Sequence, residues 1–393
     1  MKICGIICEY NPLHNGHKYL IDKAREESNA DFIVCVMSGN FTQRGQVAIF
    51  DKFKRAEHAI LAGADAVIEL PTAFAISPAE LFAKGAVKLL SSIPDLTNIA
   101  FGVENGTVQA FENTAKILST ENKQIKAAIK GKLKEGFSFV KARADAISEL
   151  DLSGIDKDLI LKPNNILGLE YQKALNFFES NAKILPILRI GAEYSDCKMY
   201  SNFSSATAIR ECIRNKKWRL LKKNLPPFVF IDVKNTTSSD LYKKIAIYTA
   251  MTKAPSELKK IVDCTEGLEN RIQAFAKDNN DYDTLLEKVT TKRYITSRIR
   301  RILLAAVLGI EEDLIKDALK SKLYLKVLAT KKEKASDILS LLKKSEFPVI
   351  TRRSDLSNLS KTAKELINKD FQANDVYQLV SGTKVLDNSI RLI

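Results

Sequence analysis

Only three histidines occur in these 393 residues, and two of them stand three apart, in His14-Asn15-Gly16-His17. A strand-like run from Lys2 to Cys8 precedes them, and a helix-like run from Lys18 to Glu27 follows. The imidazoles therefore fall at a helix mouth, where unsatisfied backbone N–H groups and the helix dipole attract phosphate. Gly16 admits close approach of a ligand to the backbone. Imidazoles placed there can stabilise charge developing on a transferring phosphate, which fits nucleotidyl transfer of the H-x-G-H type. Two alternatives stand beside that reading: a metal pair at i, i+3, or a structural turn with a capping histidine. A metal calls for more ligands, and the sequence offers only His58, with Cys4 and Cys8 on the preceding strand.

Other loops carry polar sets of the same kind. Ser38, Asn40, Gln43 and Arg44 lie in Met37-Ser38-Gly39-Asn40-Phe41-Thr42-Gln43-Arg44-Gly45, where amides, glycines and an arginine suit anion recognition. Asp51, Lys52 and Arg55 follow and read as an i, i+4 charge pair. Gly102, in Phe101-Gly102-Val103-Glu104, leaves room for an adenosine. Ser205, Thr207 and Arg210 put two hydroxyls and a cation at a helix start, either a second phosphate cradle or an ordinary N-cap. In Thr291-Lys292-Arg293-Tyr294-Ile295-Thr296-Ser297-Arg298-Ile299-Arg300-Arg301, five cations surround a tyrosine at a helix start. Positive charge there opposes the helix dipole. Backbone phosphates and a stacked base would suit it; a solvated face is the alternative.

The elements that must position these groups alternate through the first 210 residues. Ile3–Cys8, Phe32–Met37, Ala66–Leu70, Asn98–Val103 and Ile184–Ile190 are short runs rich in Ile and Val and read as buried parallel strands. Lys18–Glu27, Asp51–Ala62, Pro78–Ser91 and Val108–Leu118 carry helical periodicity. The order predicts an α/β fold, a doubly wound parallel sheet that binds ligands beyond the carboxyl ends of its strands. The loops to watch are Glu9–His17, Ser38–Gln46, Pro71–Ser77, Gly102–Gly106 and Gly191–Ser205. Residues 119–182 read as a helical insertion before the last strand, so the catalytic domain spans 1–210. A helical domain is expected over 211–322, including Thr296–Leu308 stopped by Gly309. A small α/β tail follows over 323–393, with strands Tyr324–Ala329 and Pro348–Thr351, helix Ala335–Leu342 and two terminal helices between Leu359 and Val380.

Charge divides along the same line. Residues 1–210 carry 25 Lys and Arg against 24 Asp and Glu, whereas 211–393 carry 36 against 23, so nearly all of the net +14 lies outside the catalytic half. A neutral core with a basic appendage suits a polyanionic substrate; a lysine-rich composition with solvated faces is the alternative. No run is apolar enough to span a bilayer, and Met1-Lys2-Ile3-Cys4-Gly5 lacks the features of a signal peptide. The six cysteines (Cys4, Cys8, Cys35, Cys197, Cys212 and Cys264) form no C-x-x-C pair. These points lead us to expect reduced thiols, no membrane partner and a cytoplasmic protein.

Several blocks together resemble the tRNA(Met) cytidine acetate ligase family: Glu9 to His17, Met37 to Gly45, Gly63-Ala64-Asp65-Ala66-Val67-Ile68-Glu69-Leu70-Pro71, Pro163-Asn164-Asn165-Ile166-Leu167-Gly168, Arg189-Ile190-Gly191-Ala192, Ser205 to Arg210, and Thr291-Lys292-Arg293-Tyr294. The resemblance runs to about residue 310 and is loose beyond. It implies a nucleotidyltransferase-like enzyme that activates acetate with ATP as acetyl-adenylate and transfers acetyl to N4 of the wobble cytidine of elongator tRNA(Met). By the same resemblance, ATP would be held by Ile7, Cys8, Glu9, Tyr10, Asn11, Pro12, Leu13, His14, Asn15, Gly16, His17, Lys18, Tyr19, Leu20, Gly102, Asn164 and Arg189. His14 and His17 would act on the α-phosphate, Ser205, Thr207 and Arg210 on the β- and γ-phosphates, and Mg2+ would accompany the triphosphate. Lys292, Arg293, Tyr294, Arg298, Arg300 and Arg301 are the tRNA-binding candidates. One departure is Tyr194-Ser195-Asp196, where the family leads us to expect histidine between tyrosine and aspartate. The motifs alone also fit a small-molecule nucleotidyltransferase of cofactor synthesis, or an RNA-binding protein on a decayed transferase fold.

Overall fold

A computed structural model describes residues 1–119, 123–137, 139–149, 155, 157–190, 203–279 and 281–393. Gly191, Ala192, Cys197 and the Tyr194-Ser195-Asp196 run lie outside the described residues. Five parallel strands form the sheet: β1 (Ile3–Cys8), β2 (Phe32–Ser38), β3 (Ala66–Leu70), β4 (Leu96–Val103) and β5 (Lys183–Leu188), in the order β5-β4-β1-β2-β3. Every residue of β2 and of β3 is buried, as strands covered on both faces by crossover helices must be. The helices between them, Asn15–Ser28 (α1), Lys52–Leu61 (α2), Ala79–Ser91 and Val108–Ser119, lie within three residues of the expected spans. With β1 at the centre, the chain winds outward in both directions. The loops after β1 and β4 then flank the point where the winding reverses, the place such sheets use for ligands.

The region beyond residue 323 departs from the expected tail. Its first strand, β6 (Leu325–Thr330), pairs antiparallel with β3, Ala66 opposite Thr330, and so extends the catalytic sheet. β7 (Val349–Ile350) and β8 (Arg391–Leu392) both pair with β6. The physical reason is the open edge of β3, whose backbone groups need partners. Lys361–Ser381 forms one helix where two were expected, because no Gly or Pro interrupts it before Gly382.

A buried ionic cluster fastens this segment to the sheet. Lys52 Nζ lies 2.9 Å from Glu69 and 2.6 Å from Asp387, and Lys326 Nζ reaches the same two carboxylates at 2.9 and 2.6 Å. All four residues are buried. Despite burial, which acts upward, the two ammonium groups hold the Asp387 carboxyl below the usual range. Beside them Asp370 accepts hydrogen bonds from the Tyr324 hydroxyl and the Thr72 amide, and burial with the Glu69 charge raises it to about 6.

Candidate active site

β1 ends at Cys8. Glu9 and Tyr10 follow, Tyr10 with φ 48 in the left-handed region, and the Asn11–Pro12 bond is cis. His14 is extended and caps α1: its Nδ1 accepts from the Gly16 amide at 3.1 Å, and His17 Nδ1 accepts from the His14 amide at 3.3 Å. The two rings thus form a reciprocal capping box and stack with centroids 3.7 Å apart and planes at 26°. The capping alternative holds, and it sharpens the chemistry. With Nδ1 of each ring fixed as an acceptor, the neutral ring carries its proton on Nε2, the one donor each imidazole has left. Burial, with Arg189 beside them, depresses both rings, His17 to about 3 and His14 well below its ordinary value. The Gly16 amide is occupied by His14 and is not among the open N–H groups of the helix mouth.

Around these rings lies a cavity of about 180 Å³. Of the residues expected to hold ATP, Ile7, Cys8, Glu9, Tyr10, Asn11, His14, Gly16, His17, Tyr19, Leu20, Gly102, Asn164 and Arg189 line it. Pro12, Leu13, Asn15 and Lys18 do not. Pro12 and Leu13 are buried, the Asn15 amide donates to the Lys223 carbonyl at 2.8 Å, and Lys18 pairs with Asp22 at 2.7 Å. Gly102 lies against Arg189. A Cβ there would lie 3.1 Å from Arg189 Cγ, so its missing side chain makes room for Arg189.

Thr207 and Arg210 face the cavity, and the Arg210 guanidinium donates to the Asn11 carbonyl at 2.7 Å and to Thr207 Oγ1 at 3.2 Å. Ser205 instead caps its own helix, Ala206–Arg214, by accepting from the Ala208 amide. In the second loop Gln43 and Arg44 reach the cavity, while Ser38 and Asn40 are buried away from it; Asn40 donates to Asn374 and accepts from the Lys52 amide. Glu9 accepts the Gln43 amide at 2.5 Å, and burial raises its carboxyl despite Arg55, Arg210 and Arg44.

Sequence reasoning missed two sets. Arg55 makes no i, i+4 pair: its buried guanidinium donates to the carbonyls of Glu9, Ser38, Gly39 and Phe50 and ties the loops after β1 and β2 together. Asp51 caps α2. Phe82, Phe101, Leu167, Tyr171 and Phe203 form the apolar wall of the cavity. They come from distant segments, and nothing in their local pattern marks them out from core. His58 bonds Asp232 at 2.9 Å, and among the described residues no three His, Cys, Asp or Glu side chains are arranged to hold a metal.

Three of the five cations in the block expected to meet tRNA are paired with carboxylates of this chain. Arg298 and Arg301 are buried and pair with Asp263 at 3.3 and 3.1 Å; Arg293 pairs with Glu266 at 2.8 Å, and the Tyr294 hydroxyl donates to the Glu266 carbonyl. Carboxylates from an earlier turn of the chain thus balance the charge that an external anion was expected to balance. Lys292 is exposed, and Arg300 faces a neighbouring cleft.

A doubly wound sheet with a capped histidine pair at the switch point defines a nucleotidyltransferase, and the family model "HIGH Nucleotidyl Transferase" matches residues 1–389. Relatives narrow the class. A tRNA(Met) cytidine acetate ligase of Caldanaerobacter subterraneus subsp. tengcongensis is 38% identical over 96% of this chain and 95% of its own. One of Clostridium novyi is 37% identical over 100% and 98%. The crystal structure of ligand-free Thermotoga maritima TmcAL superposes with a TM-score of 0.91 at 33% identity, and the same protein bound with alpha-thio ATP with 0.90 at 32%, each covering 100% of both chains. The chain belongs to the tRNA(Met) cytidine acetate ligase family.

Proposed function

We propose that the chain is an ATP-dependent ligase that forms acetyl-adenylate and acetylates N4 of the wobble cytidine of elongator tRNA(Met). The observation that carries this is the stacked histidine pair, each Nδ1 engaged in the cap, facing a cavity with Arg189 and Arg210. In the first step an acetate oxygen attacks the α-phosphorus of ATP and pyrophosphate leaves. His14 and His17 donate to the α-phosphate oxygens as negative charge concentrates there. Arg210, Thr207 and Arg44 hold the leaving phosphates, and Arg189 lies near the imidazoles. In the second step the cytidine N4 attacks the acetyl carbon, AMP leaves and the amine loses a proton. Magnesium would arrive with the triphosphate, with phosphate oxygens and water as ligands. The apolar wall of Phe101, Tyr171 and Phe203 suits an adenine ring.

Acetate as acyl donor, elongator tRNA(Met) as acceptor and a cytoplasmic setting belong to the same proposal and rest on the relatives and the family resemblance. Among the described residues no helix is long and apolar enough to cross a membrane. The test incubates the purified protein with ATP, magnesium, labelled acetate and total bacterial tRNA, then digests the tRNA to nucleosides for mass spectrometry. Acetylated cytidine that requires both ATP and acetate is expected. ATP turnover without it would overturn the acceptor and favour a small-molecule transferase.

A further inference from the structure

A second cavity, of about 730 Å³, opens beside the first and shares Asn11, Gln46 and Arg210 with it. Its volume is that of a ligand site of roughly 300–1,000 Å³. The floor is the loop Gly45–Ile49; the walls are the helix Ala206–Arg214, the run Thr236–Lys243, and the starts of the helices Tyr282–Val289 and Thr296–Leu308. Four cations line it, Arg210, Arg214, Lys243 and Arg300, against two carboxylates, Asp240 and Asp283. Asp283 holds Lys243 at 2.5 Å, Glu211 on its own helix holds Arg214 at 3.0 Å, and Asp240 accepts from Ser238. The surplus is positive, and the hydroxyls of Thr236 and Ser239 add neutral donors.

Arg300 gives the cleft its meaning. Around the helix it stands about 200° from Arg298 and 100° from Arg301. Those two turn to Asp263, whereas Arg300 takes no part in that network and faces the cleft. Gly45 fixes the floor against the same helix. Its φ is +69, and a Cβ there would lie 2.6 Å from the backbone of Arg300 and Arg301. The loop that carries Gln43 and Arg44 into the catalytic cavity is thus seated directly on the helix that carries Arg300 into the cleft.

We propose that this cleft is the acceptor channel: it takes one unpaired nucleotide of an RNA strand with its flanking phosphates and directs the base past Arg210 to the adenylate. The inference rests on the function proposed above. An acceptor that is part of a polyanion must come from a side that ATP leaves open, through an opening wider than a small metabolite needs. Cations at that opening hold backbone phosphates. Pyrophosphate leaving the first cavity would be the competing occupant of the same charges.

Arg300→Glu and Lys243→Glu, each in the full chain, separate these cases. Acetate-dependent ATP–pyrophosphate exchange does not need the acceptor, and we expect it within twofold of wild type, which also reports folding. The dissociation constant for bacterial tRNA is expected to rise at least about tenfold, with the salt slope reduced by about one for each phosphate no longer held. Arg300→Ala should show the same effects in smaller measure. Unchanged tRNA affinity and salt slope would overturn the channel, as would a loss of exchange that matched the loss of tRNA binding, since the cleft would then serve pyrophosphate. Wild-type protein that exchanges pyrophosphate yet never acetylates cytidine would end the ligase reading instead, and the binding comparison would still decide the cleft.

Discussion

On the proposed mechanism His14 has two jobs for two different atoms, and two substitutions can separate them. Nδ1 accepts the Gly16 amide at 3.1 Å, and Nε2–H is the donor left for a phosphate oxygen. Asparagine places its Oδ1 near the position of Nδ1 and is among the best N-caps. His14→Asn should keep the cap and lose the donor. Removing one preorganised donor of this kind costs about 2.7–4 kcal/mol, or 10²–10³ in rate. The smaller side chain also vacates buried space, for which we allow about 1 kcal/mol of stability. His14→Gln is the converse: its amide can reach toward the Nε2 position, but the cap is lost, at about 0.5–2 kcal/mol. The assay is acetate-dependent ATP–pyrophosphate exchange, with urea unfolding of both variants at pH 7. The reasoning requires His14→Asn to be the less active and His14→Gln to recover part of the rate. An asparagine variant within threefold of wild type would refute the role of Nε2–H, whatever the melts show.

Acid stability follows from the same rings. His17 is held neutral to about 3, while an unfolded histidine titrates near 6.5. Between those values the unfolded chain binds a proton that the folded chain refuses, so the contribution of His17 is complete above about pH 6.5 and is lost as pH falls toward 3. His17 keeps part of its surface open to the cavity, so we expect roughly 1–2 kcal/mol less stability from it at pH 5 than at pH 7; urea melts in which His17→Asn leaves that pH dependence unaltered would contradict the assignment. The buried cluster gives a second test. Lys326→Met leaves Glu69 and Asp387 with Lys52 alone and should cost about 3–5 kcal/mol, while adding Asp387→Leu should return much of the loss. A single variant that melts like wild type would show that the cluster does not fasten the C-terminal segment.

Local chemistry was legible, and long-range pairing was not. The first four strands and the helix Thr296–Leu308 could be read because a strand buried on both faces must be a short apolar run and an amphipathic helix must repeat. β6 is likewise a short, mostly apolar run, yet its place beside β3 depends on an edge left open some 255 residues earlier, which periodicity does not record. The basic run at 291–301 shows a similar limit. Its charges are plain in the sequence, but their partners Asp263 and Glu266 lie in a turn that only the folded helices bring close. Gly45 was legible as one of two glycines in a loop suited to an anion; what approaches it in the structure is a helix backbone in place of a phosphate.

The histidine loop was the most legible feature because cap and chemistry use the same two residues. A protonated imidazole could not accept the Gly16 amide at Nδ1, and its charge would oppose the positive end of α1. The cap therefore favours the neutral form, and Arg189 favours it further. Full positive charge in the cavity falls to the arginines, which on the proposed mechanism would attract the triphosphate before and during reaction alike and so chiefly aid binding. Neutral donors aimed at one phosphate gain most when charge grows on that phosphate, and only such a difference speeds the chemical step. On this division of labour, loss of Arg210 should weaken ATP binding first, and loss of an Nε2–H should lower the rate first.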